Sequence, residues 1–210
     1  MTILTDIAES LERGEDDRVG QLVREAIARQ TPAVEILNNG LLAGMARVGE
    51  QFRLREIFLP DVLMAARAMY AGLDLLKPLL AHDDVPTAGR VVLGSVKGDL
   101  HDIGKNLVGI MLQGAGFEVI DLGHDVPADR FVDAAEARSA SVIGLSSLLT
   151  TTMPVMKEVV DLVQARGLSG RVRVIVGGAP VSEAWAREIG ADAYAYDAAN
   201  AVERVRALVA

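Results

Sequence analysis

The sequence contains no cysteine among its 210 residues. Disulfides, thiolate catalysis and cysteine-ligated metals are therefore excluded, which fits a reducing compartment. Aromatic residues are also scarce, at 4% of the chain, although half of all residues are hydrophobic. We therefore expect a substantial core in which aliphatic side chains supply most of the volume.

Clusters of positive charge are missing as well. The formal net charge is −8, and lysine and arginine form no run anywhere in the chain. Such a surface would repel a phosphate backbone, so we expect no nucleic-acid partner. The first residues lack the basic and then apolar pattern of a signal peptide, and no window approaches the ~18 uninterrupted apolar residues of a membrane span. These absences predict a cytoplasmic protein with no membrane partner.

The first part of the chain has a helical rhythm. Apolar residues recur at spacings of three and four in two long stripes, Val34, Leu37, Leu41, Met45, Val48 and Phe52, then Leu59, Val62, Leu63, Ala66, Met69, Leu73 and Leu76. Shorter helices fit residues 2–13 and 16–29. Together these patterns predict a four-helix bundle over residues 1–82. The stretch that follows has no periodicity, and it predicts a linker at residues 83–89.

Beyond the linker, short runs rich in valine and isoleucine alternate with helical patterns. The runs are RVVLGSV, FEVIDLG, SVIGLSS, VRVIVGG and ADAYAY, and the intervening helices fit residues 104–115, 128–138, 153–167, 181–189 and 198–209. Such runs suit a parallel sheet covered by helices on both faces. They predict an α/β, flavodoxin-like, doubly wound domain with five strands over residues 90–210, whose ligands bind beyond the carboxyl ends of the strands.

Polar residues and glycines follow three of the predicted strands. They are Lys97, Gly98, Asp99 and His101 after the first, Ser146, Ser147, Thr150, Thr151 and Thr152 after the third, and Gly177 and Gly178 after the fourth. Each has an ordinary explanation as a helix cap, a turn or a helix start. Parallel strands bring their carboxyl ends to one edge, however, so we expect these groups around a single cleft.

Two phosphate-related sites can be excluded. A P-loop has four residues between its glycines and a hydroxyl residue after its lysine, whereas Gly98 and Gly104 bracket five residues and Asn106 takes the hydroxyl position. A phosphoryl-accepting receiver domain needs acidic residues at the ends of its first and third strands. This chain has Val96 and Lys97 at one end and Ser146 at the other.

What remains is one ordered pattern: D-x-H-x-x-G (Asp99, His101, Gly104), S-x-L (Ser146, Leu148) and GG (Gly177, Gly178). In this order and at these spacings, it resembles the cobalamin-binding signature of corrinoid proteins and of cobalamin-dependent methionine synthase. The helical half carries a second likeness, in VGEQFRLREIFLPDVLMAARAM, to the cap domain of the same proteins. The resemblance therefore covers most of the chain.

The resemblance implies that His101 is the lower axial ligand of the cobalt of cobalamin. A neutral imidazole is a good nitrogen donor to a transition metal, and its second ring nitrogen needs a partner to fix the tautomer. Asp99 would be that partner. In the family a serine hydroxyl continues this relay, and Thr152 takes its place here, so Asp99 and Thr152 are the expected proton-relay residues.

The resemblance also implies contacts along the cofactor. The dimethylbenzimidazole of the cofactor would be displaced and its nucleotide tail extended into the sheet domain. Gly104 would let the corrin or the tail pass close to the backbone, and Gly177 and Gly178 would keep the tail channel open. Ser146 would contact the displaced base, whereas Leu148, although part of the signature, is more simply explained as core.

The helical cap is expected to cover the other side of the cofactor. By the same resemblance, Phe52, Leu59 and Val62 would shield the upper face and the cobalt–methyl bond. For Phe52, a place in the bundle core is an equally direct explanation, because it continues the apolar stripe. Access of partner enzymes would require this lid to move.

The function implied is that of a methyl-carrying corrinoid subunit that is not catalytic without partner enzymes. Cob(I)alamin would accept a methyl group from a substrate methyltransferase, and methylcobalamin would pass it to an acceptor methyltransferase that uses tetrahydrofolate or a thiol. The donor could be methanol, a methylamine, a betaine or a methoxylated aromatic. A cobalamin-dependent sensor and the cobalamin subunit of a radical mutase remain alternatives.

Overall fold

The structure, a computed structural model, describes residues 2–80 and 87–210. The chain divides into two compact units, Met1–Pro86 with Gly114–Gly116, and Thr87–Gln113 with Phe117–Ala210. Of the linker predicted at residues 83–89, residues 83–86 lie outside the described residues. None of the helices described has both the length and the apolar composition needed to cross a membrane.

The helical unit contains the predicted helices. They are α1 (Ile3–Glu12), α2 (Asp16–Ala28), α3 (Ala33–Ile36), a π-helical segment (Leu37–Leu42), α4 (Ala43–Arg53) and α5 (Leu59–Leu80). The hydroxyl of Thr2 caps α1 by accepting a hydrogen bond from the Thr5 N–H. The run from α3 to α4 is one continuous helix, as predicted, but its π-helical segment was not anticipated from the spacing of the apolar residues.

Two glycines allow α1 to pack closely against this long helix. A Cβ atom on Gly44 would lie 2.8 Å from the carbonyl oxygen of Ala8, and one on Gly40 would lie 3.1 Å from Cγ2 of Ile7. The two glycines are four residues apart and share one helix face. Backbone and side chain of α1 therefore occupy space that larger residues on this face would need.

The apolar stripe predicted for α5 is largely correct, with one exception. Val62, Ala66, Met69 and Leu76 are buried, whereas Leu63 is 47% exposed. The prediction for Leu63 is wrong because the buried face is defined by spacings of three and four from Val62, and the residue next to it points off that face.

The second unit is the predicted doubly wound domain. Its strands are β1 (Arg90–Ser95), β2 (Glu118–Asp121), β3 (Val142–Ser146), β4 (Arg173–Gly177) and β5 (Ala193–Ala195), and its helices are α6 (Ile103–Gly114), α7 (Ala128–Ala137), α8 (Pro154–Ala165), α9 (Glu183–Ile189) and α10 (Ala198–Val209). All neighbouring strands pair in parallel, in the order β2-β1-β3-β4-β5. This is the flavodoxin-like order, which confirms the predicted fold.

The two faces of the sheet carry different side chains. One face packs valine, isoleucine and leucine from the strands against α7, α8 and α9, with the fully buried Phe131 among them. On the opposite face, four residues in register form a row across the carboxyl end of the sheet, Ser95, Ser146, Gly177 and Ala195. We call these four residues the small-residue row. Their side chains are small, so they project little from the sheet.

The close packing of α1 can be tested by comparing two glycine-to-alanine substitutions. Gly44→Ala places a methyl group against backbone atoms of α1, and we expect a loss of about 1–3 kcal/mol of unfolding free energy. Gly20→Ala, within α2, meets only the end of the flexible Arg24 side chain at 3.7 Å, so its higher helix propensity should raise stability by up to about 1 kcal/mol. Urea unfolding measures both, and equal stability of the two variants would contradict the close approach.

Candidate functional site

The loop between β1 and α6 presents a histidine above a buried carboxylate. The side chain of His101 is 54% exposed, whereas that of Asp99 is fully buried, and His101 Nδ1 lies 2.8 Å from Asp99 Oδ1. An ionised carboxylate can only accept hydrogen bonds. The Nδ1 atom of His101 therefore carries the proton of the neutral ring and donates a hydrogen bond to Asp99. This tautomer leaves the lone pair of Nε2 available for coordination.

Four donors surround the Asp99 carboxylate. Oδ1 accepts from the N–H and the Nδ1 of His101, at 3.0 and 2.8 Å, and Oδ2 accepts from the Leu148 N–H at 2.6 Å and the Thr152 hydroxyl at 3.2 Å. Burial acts to raise the pKa of Asp99, but these hydrogen bonds together hold that pKa below its usual value. Asp99 therefore stays ionised near neutral pH and keeps the imidazole in one orientation.

The hydroxyl of Thr152 has more acceptors than it has protons. Besides Asp99 Oδ2, it lies 2.9 Å from the Leu149 carbonyl oxygen and 2.8 Å from the hydroxyl of Ser147. Ser147 is fully buried and can itself donate to the Leu149 carbonyl, 3.0 Å away. When Ser147 instead donates to the Thr152 oxygen, the proton of Thr152 is available for Asp99. Sequence reasoning placed Ser147 at this sheet edge but assigned it no part in the relay.

The structure brings together the three residues predicted as ligand and relay, His101, Asp99 and Thr152. The prediction that Leu148 belongs to the core is wrong, because its side chain is 37% exposed. Its contribution is the backbone N–H that binds Asp99. No side-chain pattern could have indicated this contact, since every non-proline residue offers the same group.

The remaining predicted residues of the sheet unit occupy distinct places. Ser146 and Gly177 lie side by side in the small-residue row. Gly104 is the second residue of α6, and a Cβ atom there would meet no heavy atom within 4 Å. The space beside Gly104 is open, as it must be if a ligand passes there.

Gly178 has a reason of its own to be glycine. Its φ of +132° is in a region that other residues rarely adopt, and a Cβ atom would lie 1.8 Å from the carbonyl oxygen of Ser147. The loops after β3 and β4 thus touch through their backbones. The need for glycine at this position follows from that contact, independently of any bound group.

The three residues predicted to shield the cofactor belong to the helical unit. Phe52 and Leu59 are half-buried, at the ends of α4 and α5 that flank the loop between these helices, and Val62 is fully buried. Phe52 and Leu59 thus keep partly exposed side chains, whereas Val62 has none of its surface free.

The chemistry of these residues fits cobalamin. Across residues 2–80 and 87–210, no group of three or more histidine, aspartate and glutamate side chains is placed to hold a metal ion. A corrin supplies four nitrogen ligands of its own, and the exposed His101 would be able to add an axial nitrogen through Nε2. Within the small-residue row, Ser146 and Gly177 are partly exposed, whereas Ser95 and Ala195 are buried.

Comparison with known proteins supports the same class. A protein-family model described as a B12 binding domain matches residues 89–206, and a second model of the same description matches residues 3–77. Both compact units are thus of a B12-binding type.

The individual relatives are corrinoid proteins. The dimethylamine corrinoid protein 1 of Methanosarcina acetivorans is 44% identical over 99% of this chain and 98% of its own length. The crystal structure of the methanol:cobalamin methyltransferase complex MtaBC from Methanosarcina barkeri matches with a TM-score of 0.92 at 31% identity, over 99% of this chain and 79% of that one. A cobalamin-binding protein from Desulfitobacterium hafniense matches with a TM-score of 0.78 at 34% identity, over 99% and 98% of the two chains. The chain therefore belongs to the family of B12-binding corrinoid proteins.

The buried carboxylate predicts a specific pH dependence of stability. Because the pKa of Asp99 is lowered in the folded state, its stabilising contribution is complete above the unfolded value of about 3.9 and is lost as the pH falls through the folded value. Asp99→Asn should lose about 1–3 kcal/mol near pH 7, because the amide group cannot accept from all four donors. The gap between the two proteins should begin to shrink below about pH 4 in urea titrations. A gap that is the same at pH 3 and pH 7 would contradict ionisation of Asp99.

The contact between the loops after β3 and β4 predicts a large effect of Gly178→Ala. The added Cβ would overlap the Ser147 carbonyl, so we expect a loss above about 4 kcal/mol or failure to fold. Gly170→Ala is the matched control, since Gly170 also has a positive φ but open space around its Cβ position. It should cost only about 1–2 kcal/mol. Thermal unfolding of both variants makes the comparison, and similar losses would contradict the contact.

Proposed function

We propose that this chain binds cobalamin with the cofactor's own base displaced and His101 as the lower axial ligand, and that it carries a methyl group between a substrate methyltransferase and an acceptor methyltransferase. The observation that supports the proposal best is the exposed imidazole with Nε2 available and Nδ1 held by a fully buried, fourfold hydrogen-bonded carboxylate. When bound, the cofactor supplies a cobalt centre that can accept and release a methyl group.

In this proposal the protein contributes orientation and proton placement. Asp99 holds the proton of His101 on Nδ1, which makes Nε2 the better donor. The hydrogen bond from Thr152 to Asp99 sets how much of the negative charge of the carboxylate faces the imidazole of His101. The relay thus couples coordination at Nε2 to the hydroxyl network below it.

The small-residue row is where we place the nucleotide tail. Ser146 and Gly177 are neighbours in this row, and a Cβ atom on Gly177 would lie 3.0 Å from the carbonyl oxygen of Ala195. Larger side chains would fill the shallow surface that an extended tail requires. The open space beside Gly104 would give the tail its entry.

The methyl donor that we propose is a methylamine, with the methyl group passed on to tetrahydrofolate or a thiol by a second enzyme. The relatives named as dimethylamine corrinoid proteins support the donor class, and the methanol:cobalamin methyltransferase complex supports a methyltransferase as the partner. We further propose that the helical unit shields the bound cofactor through Phe52 and Leu59. Val62 could take part only if its neighbours moved, because it is fully buried.

Ligation by His101 can be tested with one substitution and a matched control. His101→Ala should still retain part of the cofactor after desalting, because the tail contacts remain, but the visible absorption of the methylated form should shift once the axial nitrogen is lost. His124→Ala removes an exposed histidine after β2 and should leave the spectrum unchanged. Identical spectra of the unaltered protein and His101→Ala would refute ligation.

Methyl transfer can be tested by adding partner enzymes to the reduced, cobalamin-loaded protein. With a dimethylamine methyltransferase and dimethylamine, we expect methylation of the cofactor, followed by demethylation when an acceptor methyltransferase and tetrahydrofolate or a thiol are supplied. Omitting either enzyme should stop the corresponding half of the cycle. If no methyltransferase methylates the loaded protein and light instead changes its oligomeric state when adenosylcobalamin is bound, the chain would be a sensor.

A further inference from the structure

We propose that Ser95 and Asp125 are positioning residues that hold the His101 loop in its ligand-presenting conformation before the cofactor binds. Neither residue touches the Asp99–Thr152–Ser147 network through its side chain. Ser95 binds one end of the loop at His101, and Asp125 binds the other end at Gly98. The inference rests on the proposed axial role of His101.

The Ser95 contact acts directly on the backbone of the proposed ligand. Its hydroxyl, on a fully buried side chain, donates to the carbonyl oxygen of His101 at 2.6 Å. The backbone of Ser95 is itself fixed, since its N–H donates to the Gly123 carbonyl and its carbonyl accepts from the Val126 N–H, both at 3.0 Å. The end of β1 and the segment after β2 therefore form a rigid support for the His101 carbonyl.

Asp125 binds the loop with both its side chain and its backbone. Its Oδ1 accepts from the Gly98 N–H at 2.7 Å, and its own N–H donates to the Asp99 carbonyl at 3.0 Å. Asp125 has a φ of +56°, a left-handed conformation that aspartate tolerates better than most residues. Asp125 thus has this conformation at the position where its side chain and its backbone both bind the loop.

Fixing both ends of the loop affects a competition for cobalt. The cofactor carries its own base, so an imidazole on a mobile loop would have to displace that base while losing conformational freedom. A preformed loop has already lost this freedom on folding. Removing the hydrogen bond from Ser95 to His101, or that from Gly98 to Asp125, should therefore lower the fraction of cobalt ligated by His101. Retention of the cofactor should fall less.

Four variants separate the contributions. Asp125→Ala removes the acceptor and keeps a side chain in the left-handed conformation, whereas Asp125→Gly removes the acceptor and relieves the strain. Asp125→Asn keeps an oxygen acceptor and should restore much of the effect. Ser95→Ala removes only the hydroxyl. Asp129→Asn, at an exposed carboxylate in the first turn of α7, is the control.

The first measurement uses the protein without cofactor. Amide hydrogen exchange of Gly98 should become about tenfold faster or more in Asp125→Ala and Asp125→Gly, because a hydrogen bond to a charged acceptor is lost. Exchange in Asp125→Asn should lie between these values and the unaltered rate, and Asp129→Asn should match the unaltered protein. Unchanged Gly98 exchange in both Asp125→Ala and Asp125→Gly would overturn the positioning role of Asp125.

The second measurement uses protein with ¹⁵N-labelled histidine, loaded with cob(II)alamin. The electron paramagnetic resonance spectrum distinguishes ¹⁵N of His101 from ¹⁴N of the cofactor's base. We expect Asp125→Gly and Ser95→Ala to lower the ratio of histidine-ligated to base-ligated cobalt about tenfold, with cofactor retention changed much less. Full ¹⁵N splitting in both variants would overturn the inference. Absence of ¹⁵N splitting in the unaltered, cofactor-bearing protein would instead overturn the assignment of His101 itself.

Discussion

The site depends on the hydrogen bonds that the ionised, buried carboxylate of Asp99 accepts. A buried charge is tolerated only when its hydrogen-bonding positions are filled, and Asp99 has four donors from two separate loops. Two of these donors belong to His101 and two follow β3. The same carboxylate therefore joins the loops after β1 and β3 and fixes the tautomer of the imidazole.

The sheet supports this site with two unequal faces. The face that packs on α7, α8 and α9 is filled by aliphatic side chains and Phe131, which supply the core in a chain with few aromatic residues. The small-residue row on the opposite face contributes little to such a core. Small residues at the carboxyl end of the sheet and the exposed imidazole of His101 belong to the unit that matches a B12 binding domain.

Much of the fold could be predicted because its signals are local. Apolar spacings of three and four predicted the helices, and runs of valine and isoleucine predicted five strands whose order the structure confirms. Predictions failed where the environment of one side chain decided the outcome. Leu63 and Leu148 are apolar, yet both are exposed, because one lies beside the buried face of α5 and the other is held in a loop by its backbone.

By itself the sequence predicted the helical first part and the doubly wound domain from local patterns, and the resemblance of its ordered motif to corrinoid proteins implied a relay of His101, Asp99 and Thr152. Only the tertiary structure decided which distant groups complete the site. The Leu148 N–H meets Asp99 across 49 positions of the chain, and Asp125 meets Gly98 across 27. Contacts of this kind arise when parallel crossovers bring strand ends to a common edge, and no local pattern of residue types encodes which carboxylate or backbone N–H will arrive there.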